Sequence, residues 1–136
     1  MIEDFMELLN RQTASAELLE ARLRALELIV AAGEYRFLSL ALEEVEAASE
    51  QMSGLELSRA LVLSSAGFDE DATASQVLDT LPKDEAERQV LTEQIDDLRQ
   101  AMLRLGDARA RTDVATRQAI RDSQHREKVA QTFATV

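Results

Sequence analysis

Apolar residues recur along this chain in alternating steps of four and three, the spacing that lines up one stripe along a helix. Phe5, Leu9, Gln12, Ala16, Leu19, Leu23, Leu26 and Val30 form the first run and predict a helix from about Glu3 to Ala32. Gly33 follows where a residue of positive φ would end it, a conformation glycine takes without steric cost. Leu38, Ala41, Val45, Ala48, Met52, Leu55 and Val62 form the second run, its only polar interruption being Arg59. Gly54 is a weak point inside it and predicts a kink or a close helix crossing. Thirty helical residues span roughly 45 Å, so two such helices joined by a tight turn should lie antiparallel as a hairpin.

The periodicity stops between Ser64 and Ala74, which reads as a loop around Gly67. Thr73 and Gln76 have capping-box spacing and predict a short helix from Ser75 to Leu81. Pro82 suits the first turn of the next helix, with Asp84, Glu85 and Glu87 at its positive dipole end. That helix carries the third seam, Leu91, Ile95, Leu98, Met102 and Leu105, which can close a bundle over the hairpin. Beyond it Gly106 and Asp107 interrupt, and Arg109, Thr112, Thr116, Ser123 and Arg126 stand where seam residues would be. Ala108, Ala115, Ala119 and Ile120 leave a thin apolar stripe, with Val114, Val129, Phe133 and Val136 scattered around it.

The expected fold is therefore all-α: an antiparallel long-helix bundle made of a hairpin, a short helix and a third long helix. One domain would comprise a bundle body, residues 1–105, and a C-terminal helical or partly disordered tail, residues 106–136. On this reading, deleting residues 107–136 leaves the bundle folded and removes only a binding segment.

Charge divides at nearly the same place. Residues 1–103 carry 8 Lys/Arg against 22 Asp/Glu, net −14, and residues 104–136 carry 7 against 4, net +3. The overall −11 repels nucleic acid, whose binding rests on phosphate neutralisation by cations. Cysteine is absent, which removes disulfides, thiolate nucleophiles and Cys-ligated zinc and fits the cytosol. The N-terminus is acidic where a secretion signal is basic, and no apolar run nears the roughly 18 residues of a membrane span. A cytoplasmic protein with no stable membrane insertion is expected.

Catalysis finds no footing. A di-iron bundle needs paired Glu-x-x-His motifs, and the chain holds one histidine, His125. The acidic runs Glu43-Glu44-Glu46 and Asp69-Glu70-Asp71 lack the twelve-residue calcium-loop pattern and read as solvated faces. There is no Gly-rich phosphate loop and no nucleophile elbow. The expected protein is no enzyme, holds no cofactor or metal, and works by binding. Tyr35 and Phe37 at the hairpin tip read as a hydrophobic plug against the far end of the third long helix, or as an exposed partner contact.

The order of parts resembles the FlgN-type flagellar export chaperones, over roughly residues 5–105. The resemblance lies in a Leu- and Glu-rich first helix, the break Ala31-Ala32-Gly33-Glu34, and a second helix ending at Ala66-Gly67. It continues in the segment Ser75-Gln76-Val77-Leu78-Asp79-Thr80-Leu81-Pro82, its most specific part, and in the third seam. Downstream, where such chains commonly carry Asn residues and a Leu pair, this one reads Gly106-Asp107-Ala108-Arg109-Ala110-Arg111-Thr112-Asp113-Val114.

The resemblance implies a type III export chaperone that holds the C-terminal helical segment of hook–filament junction proteins (FlgK- or FlgL-like) and delivers it to a component of the export gate. An exposed amphipathic helix would self-associate, and a chaperone offers its apolar face a temporary cover. The docking residues would be Ala115, Ala119, Ile120, Val129 and Phe133, with Met102 and Leu105 joining them to the body. Ile120 and Val129 could equally pack on the hairpin as ordinary core. The competing account is a structural coiled-coil homodimer or adaptor without secreted cargo, although an oligomeric rod would extend its seam to the end of the chain.

Overall fold

The first seam becomes α1, Ile2–Ala32, in a computed structural model that describes residues 2–135. Gly33 ends it at φ +70°: its N–H donates to the Val30 carbonyl and the Glu34 N–H reaches back to Ile29, satisfying two carbonyls the helix leaves open. A single 3₁₀ turn, Tyr35–Phe37, leads into α2, Leu38–Ser65. Gly67, at φ +85°, closes α2 the same way, with Phe68 N–H on the Leu63 carbonyl and the Phe68 side chain packed into the cluster that holds Leu63. Gly54 lies inside α2 without ending it, and nothing stands within 4 Å of where its Cβ would be. The close crossing expected there is absent, because the residue faces solvent.

A short α3, Ala74–Thr80, begins with the expected capping box between Thr73 and Gln76. The next helix, α4, spans Glu85–Ala134 and corrects two expectations. Pro82 lies two residues before its N-cap and not in its first turn. Asp84 takes the cap, its side chain accepting the Glu87 N–H at 2.8 Å while the Glu87 carboxylate accepts the Lys83 N–H at 2.9 Å. Gly106 and Asp107 do not interrupt it either. A single glycine costs an interior helix only about 1 kcal/mol, too little to break a helix anchored by Leu105 before it and Ala108 after it.

The helices run up, down and up. Phe5 and Leu9 of α1 meet Leu63 of α2 and Leu91 of α4 at one end, where Ala72 and Val77 close the base. Ala16, Leu19 and Leu23 meet Ala48 and Met52 of α2 and Ala101, Leu105 and Ala108 of α4 in the middle. Leu26 and Val30 meet Ala41 and the partly buried Ala115 and Ala119 at the other end. So α4 is parallel to α1 and antiparallel to α2. Packing of α4 continues well past 105/106. Ala108 and Thr112 are buried, and the Thr112 hydroxyl lies 2.9 Å from the Ala108 carbonyl and 3.1 Å from that of Leu23 on α1. The division of the chain at residue 105 is therefore no structural boundary, and the deletion of 107–136 expected to leave the bundle folded cuts through the core.

Both interior helical glycines are open to substitution. Gly54→Ala and Gly106→Ala each meet open space, so each should stabilise the protein by about 0.5–1 kcal/mol by removing backbone freedom from the unfolded chain. Urea titration of the two single variants and the double checks this. A loss of stability at either position would mean that its backbone is not helical in solution.

Candidate functional site

The backbones of α2 and α4 each pack along α1 and do not approach one another. Three helices arranged this way leave a groove between the outer two, floored by the middle one. Two cavities lie along it. The first, about 270 Å³, is lined by Leu26 and Val30 of α1, Leu38 and Leu42 of α2, and Thr116, Ala119 and Ile120 of α4, together with Tyr35 and Ser123. No lining residue other than Tyr35 can ionise, and the walls are mostly hydrocarbon. The second, about 300 Å³, is lined by Gln12, Met52, Glu56, Arg59, Leu98 and Met102.

The second cavity coincides with a polar layer that separates the basal cluster from the middle one. Gln12 is 8% exposed and its Oε1 has no hydrogen-bond partner, and the same holds for the buried oxygens of Ser15 and Gln94. A buried acceptor left unmet costs about 1–3 kcal/mol. Arg59 is half-buried, with its guanidinium 6.0 Å from the centre of the Phe5 ring. Burial strips its water and lowers its pKa from the usual arginine value, partly offset by the Glu56 charge one turn away. It remains a cation at neutral pH. Arg22 is the other arginine that is not exposed, and it pairs with Glu44 at 2.8 Å, whereas no carboxylate among the described residues lies within 4.0 Å of Arg59.

The residues expected to dock a partner are spread over three environments. Leu105 is 0% exposed in the middle cluster and offers a partner no surface, so it belongs to the core alone. Ala115 and Ala119 are partly buried on the Leu26–Val30 cluster. Met102, placed in the core by its seam position, is 38% exposed at the groove, because the α2 backbone stands too far off to cover it. Ile120 is 53% exposed at the mouth of the apolar cavity. Val129 and Phe133 lie on the end of α4, where every described residue from Arg121 onward is exposed; Phe133 reaches 76%. Val129 therefore does not pack on the hairpin.

Tyr35 lines the apolar cavity alongside Ala119, while Phe37 is half exposed with the Arg36 guanidinium stacked 4.6 Å from its ring. Tyr35 and Phe37 are almost equally exposed, at 44% and 45%, so neither forms the expected plug, and of the two only Tyr35 borders the cavity. His125 is exposed, and no group of three or more His, Asp or Glu among the described residues could hold a metal. No described helix is long and apolar enough to cross a membrane.

The second cavity was visible in sequence only as two anomalies, Gln12 and Arg59, each polar at a seam position. That the two face one space required the pairing of α1 with α2. No family model matches this chain, and no curated protein or solved structure matches it.

Proposed function

We propose that this protein is a binding protein for amphipathic helices, acting as a cytoplasmic export chaperone for the C-terminal segment of a hook–filament junction protein and handing it to the export gate. The observation that carries the reading is the free end of α4. The chain places Val129 and Phe133 on the part of α4 that extends past the bundle and Ile120 at the mouth of the apolar cavity, all three exposed. Apolar side chains so placed add nothing to the fold and suit a partner's apolar face. The Val77-Leu78-x-x-Leu81-Pro82 element, whose Val77 closes the base of the bundle, supports the export-chaperone form of the reading by resemblance.

The test is affinity capture from source cells that are building flagella, with the full chain and an Ile120→Asp, Phe133→Asp double variant as baits, read by mass spectrometry. The full chain should recover a FlgK- or FlgL-like protein and the variant should lose at least tenfold of it. Recovery of no flagellar protein by either bait would remove the export role.

A second reading, a homodimer without cargo, is favoured by Leu57 and Leu61, one turn apart and more than 60% exposed on the outer face of α2. It calls for a dimer by light scattering that a Leu57→Lys, Leu61→Lys variant turns into a monomer.

A further inference from the structure

The two cavities of the α2–α4 groove are separated along α4 by the step from Leu98 and Met102 to Thr116 and Ile120, about 18 residues or about 27 Å at 1.5 Å per residue. A seated helix of five turns or more would touch both. One end of the groove has apolar walls with no fixed charge. The other holds a cation without a contacting carboxylate and an amide oxygen without a partner.

We propose that this groove seats an amphipathic helix of a partner protein that presents one carboxylate to Arg59 and a hydrogen-bond donor to Gln12 Oε1. About five turns away, the same helix places an apolar side chain in the cavity over Leu26 and Val30. The occupant completes a four-helix arrangement by filling the space left where the backbones of α2 and α4 stand apart. Its charge pattern follows from the walls. Arg59 shares the cavity with Met52, Glu56, Leu98 and Met102, is half-buried with no carboxylate in contact, and can make a charge-assisted hydrogen bond to an incoming carboxylate. The orphaned Gln12 Oε1 is an acceptor and cannot bond a carboxylate, so it is met by an N–H or O–H donor elsewhere on the seated helix. The body outside the groove is strongly acidic, so the flanks of the seated helix are basic. Arg59 is the one cation among the residues lining the two cavities, so a carboxylate of the seated helix is held at one point, which fixes the register of the bound helix.

The inference rests on reading the chain as a binder of helices, and it is tested without any junction protein. Two fluorescein-labelled peptides of about 25 residues carry a leucine face and lysine flanks. One has a single Glu about 18 residues from the anchoring Leu, and its twin has Gln there. Both are made in both polarities and titrated by anisotropy against the full chain.

The Glu peptide should bind at least tenfold more tightly than its twin, and Arg59→Gln should abolish that difference while circular dichroism stays unchanged. Gln12→Leu should raise the melting temperature by removing an unmet acceptor and leave the preference for Glu over Gln intact, since that preference belongs to Arg59. Leu42→Asp should weaken both twins alike. Equal affinity of the twins for the unmodified protein, or no binding of either, overturns the proposal whatever the variants do. A free protein that is a dimer, resists both peptides and becomes monomeric on Arg59→Gln would assign the groove to a second copy and also overturn it. Because the peptides contain no flagellar sequence, failure of the export role and failure of the groove register separately.

Discussion

Leu105→Ala should lower the stability of this protein by about 3–5 kcal/mol, whereas Met102→Ala, less than one turn away, should cost less than about 1.5 kcal/mol. Both belong to the third seam, and the difference comes from their surroundings. Leu105 is wholly enclosed among Ala16, Leu19, Leu23, Ala48, Met52, Ala101 and Ala108. Four members of that cluster are alanines. Their side chains end at Cβ and cannot swing into a void, so the cavity left by truncation stays open and the cost falls high in the usual range. Met102 borders the groove and is already partly hydrated, so its truncation loses little packing. Thermal denaturation followed at 222 nm separates the two, since the first change should lower Tm by roughly 10–20 °C. Similar effects from both would mean that the groove is closed in solution and Met102 enclosed.

A chain ending at Leu105 should lose most of its cooperative melting, while one ending at Ser123 should melt within a few degrees of the full chain. The shorter truncation removes Ala108 and Thr112 from the core and takes Ala115 and Ala119 off the Leu26–Val30 cluster. Leucine and valine surface on α1 is uncovered, at a cost of about 25 cal/mol per Å². The Leu23 carbonyl also loses the Thr112 hydroxyl. Against a stability typical of small domains, about 5–15 kcal/mol, such a loss is large. The chain ending at Ser123 loses residues of which every described one is exposed. Calorimetry of the three chains decides this, and a truncation at Leu105 that melts like the full chain would show that α4 beyond Gly106 contributes nothing to folding. A loss of cargo by that shorter chain would reflect unfolding, so binding tests belong on chains ending at Ser123 or on point variants.

Apolar spacing by itself determined that the chain is helical and where α1 and α2 lie, because burying one stripe per helix requires steps of three and four residues, and Gly33 and Gly67 take the positive φ that ends them. It also determined the Thr73–Gln76 cap, since capping is a contact between residues three apart. Only the tertiary structure decided where the body ends. Thr112 and Ala115 carry too little apolar surface to register as a seam, yet a close crossing needs small residues, and their burial depends on α1 supplying Leu23, Leu26 and Val30 opposite them. It likewise decided that Leu105 is core while Met102 borders a groove, and that Arg59 and Gln12 share one cavity. These are relations between residues tens of positions apart. They are set by the distance at which α2 and α4 stand on either side of α1, and no local period encodes that distance.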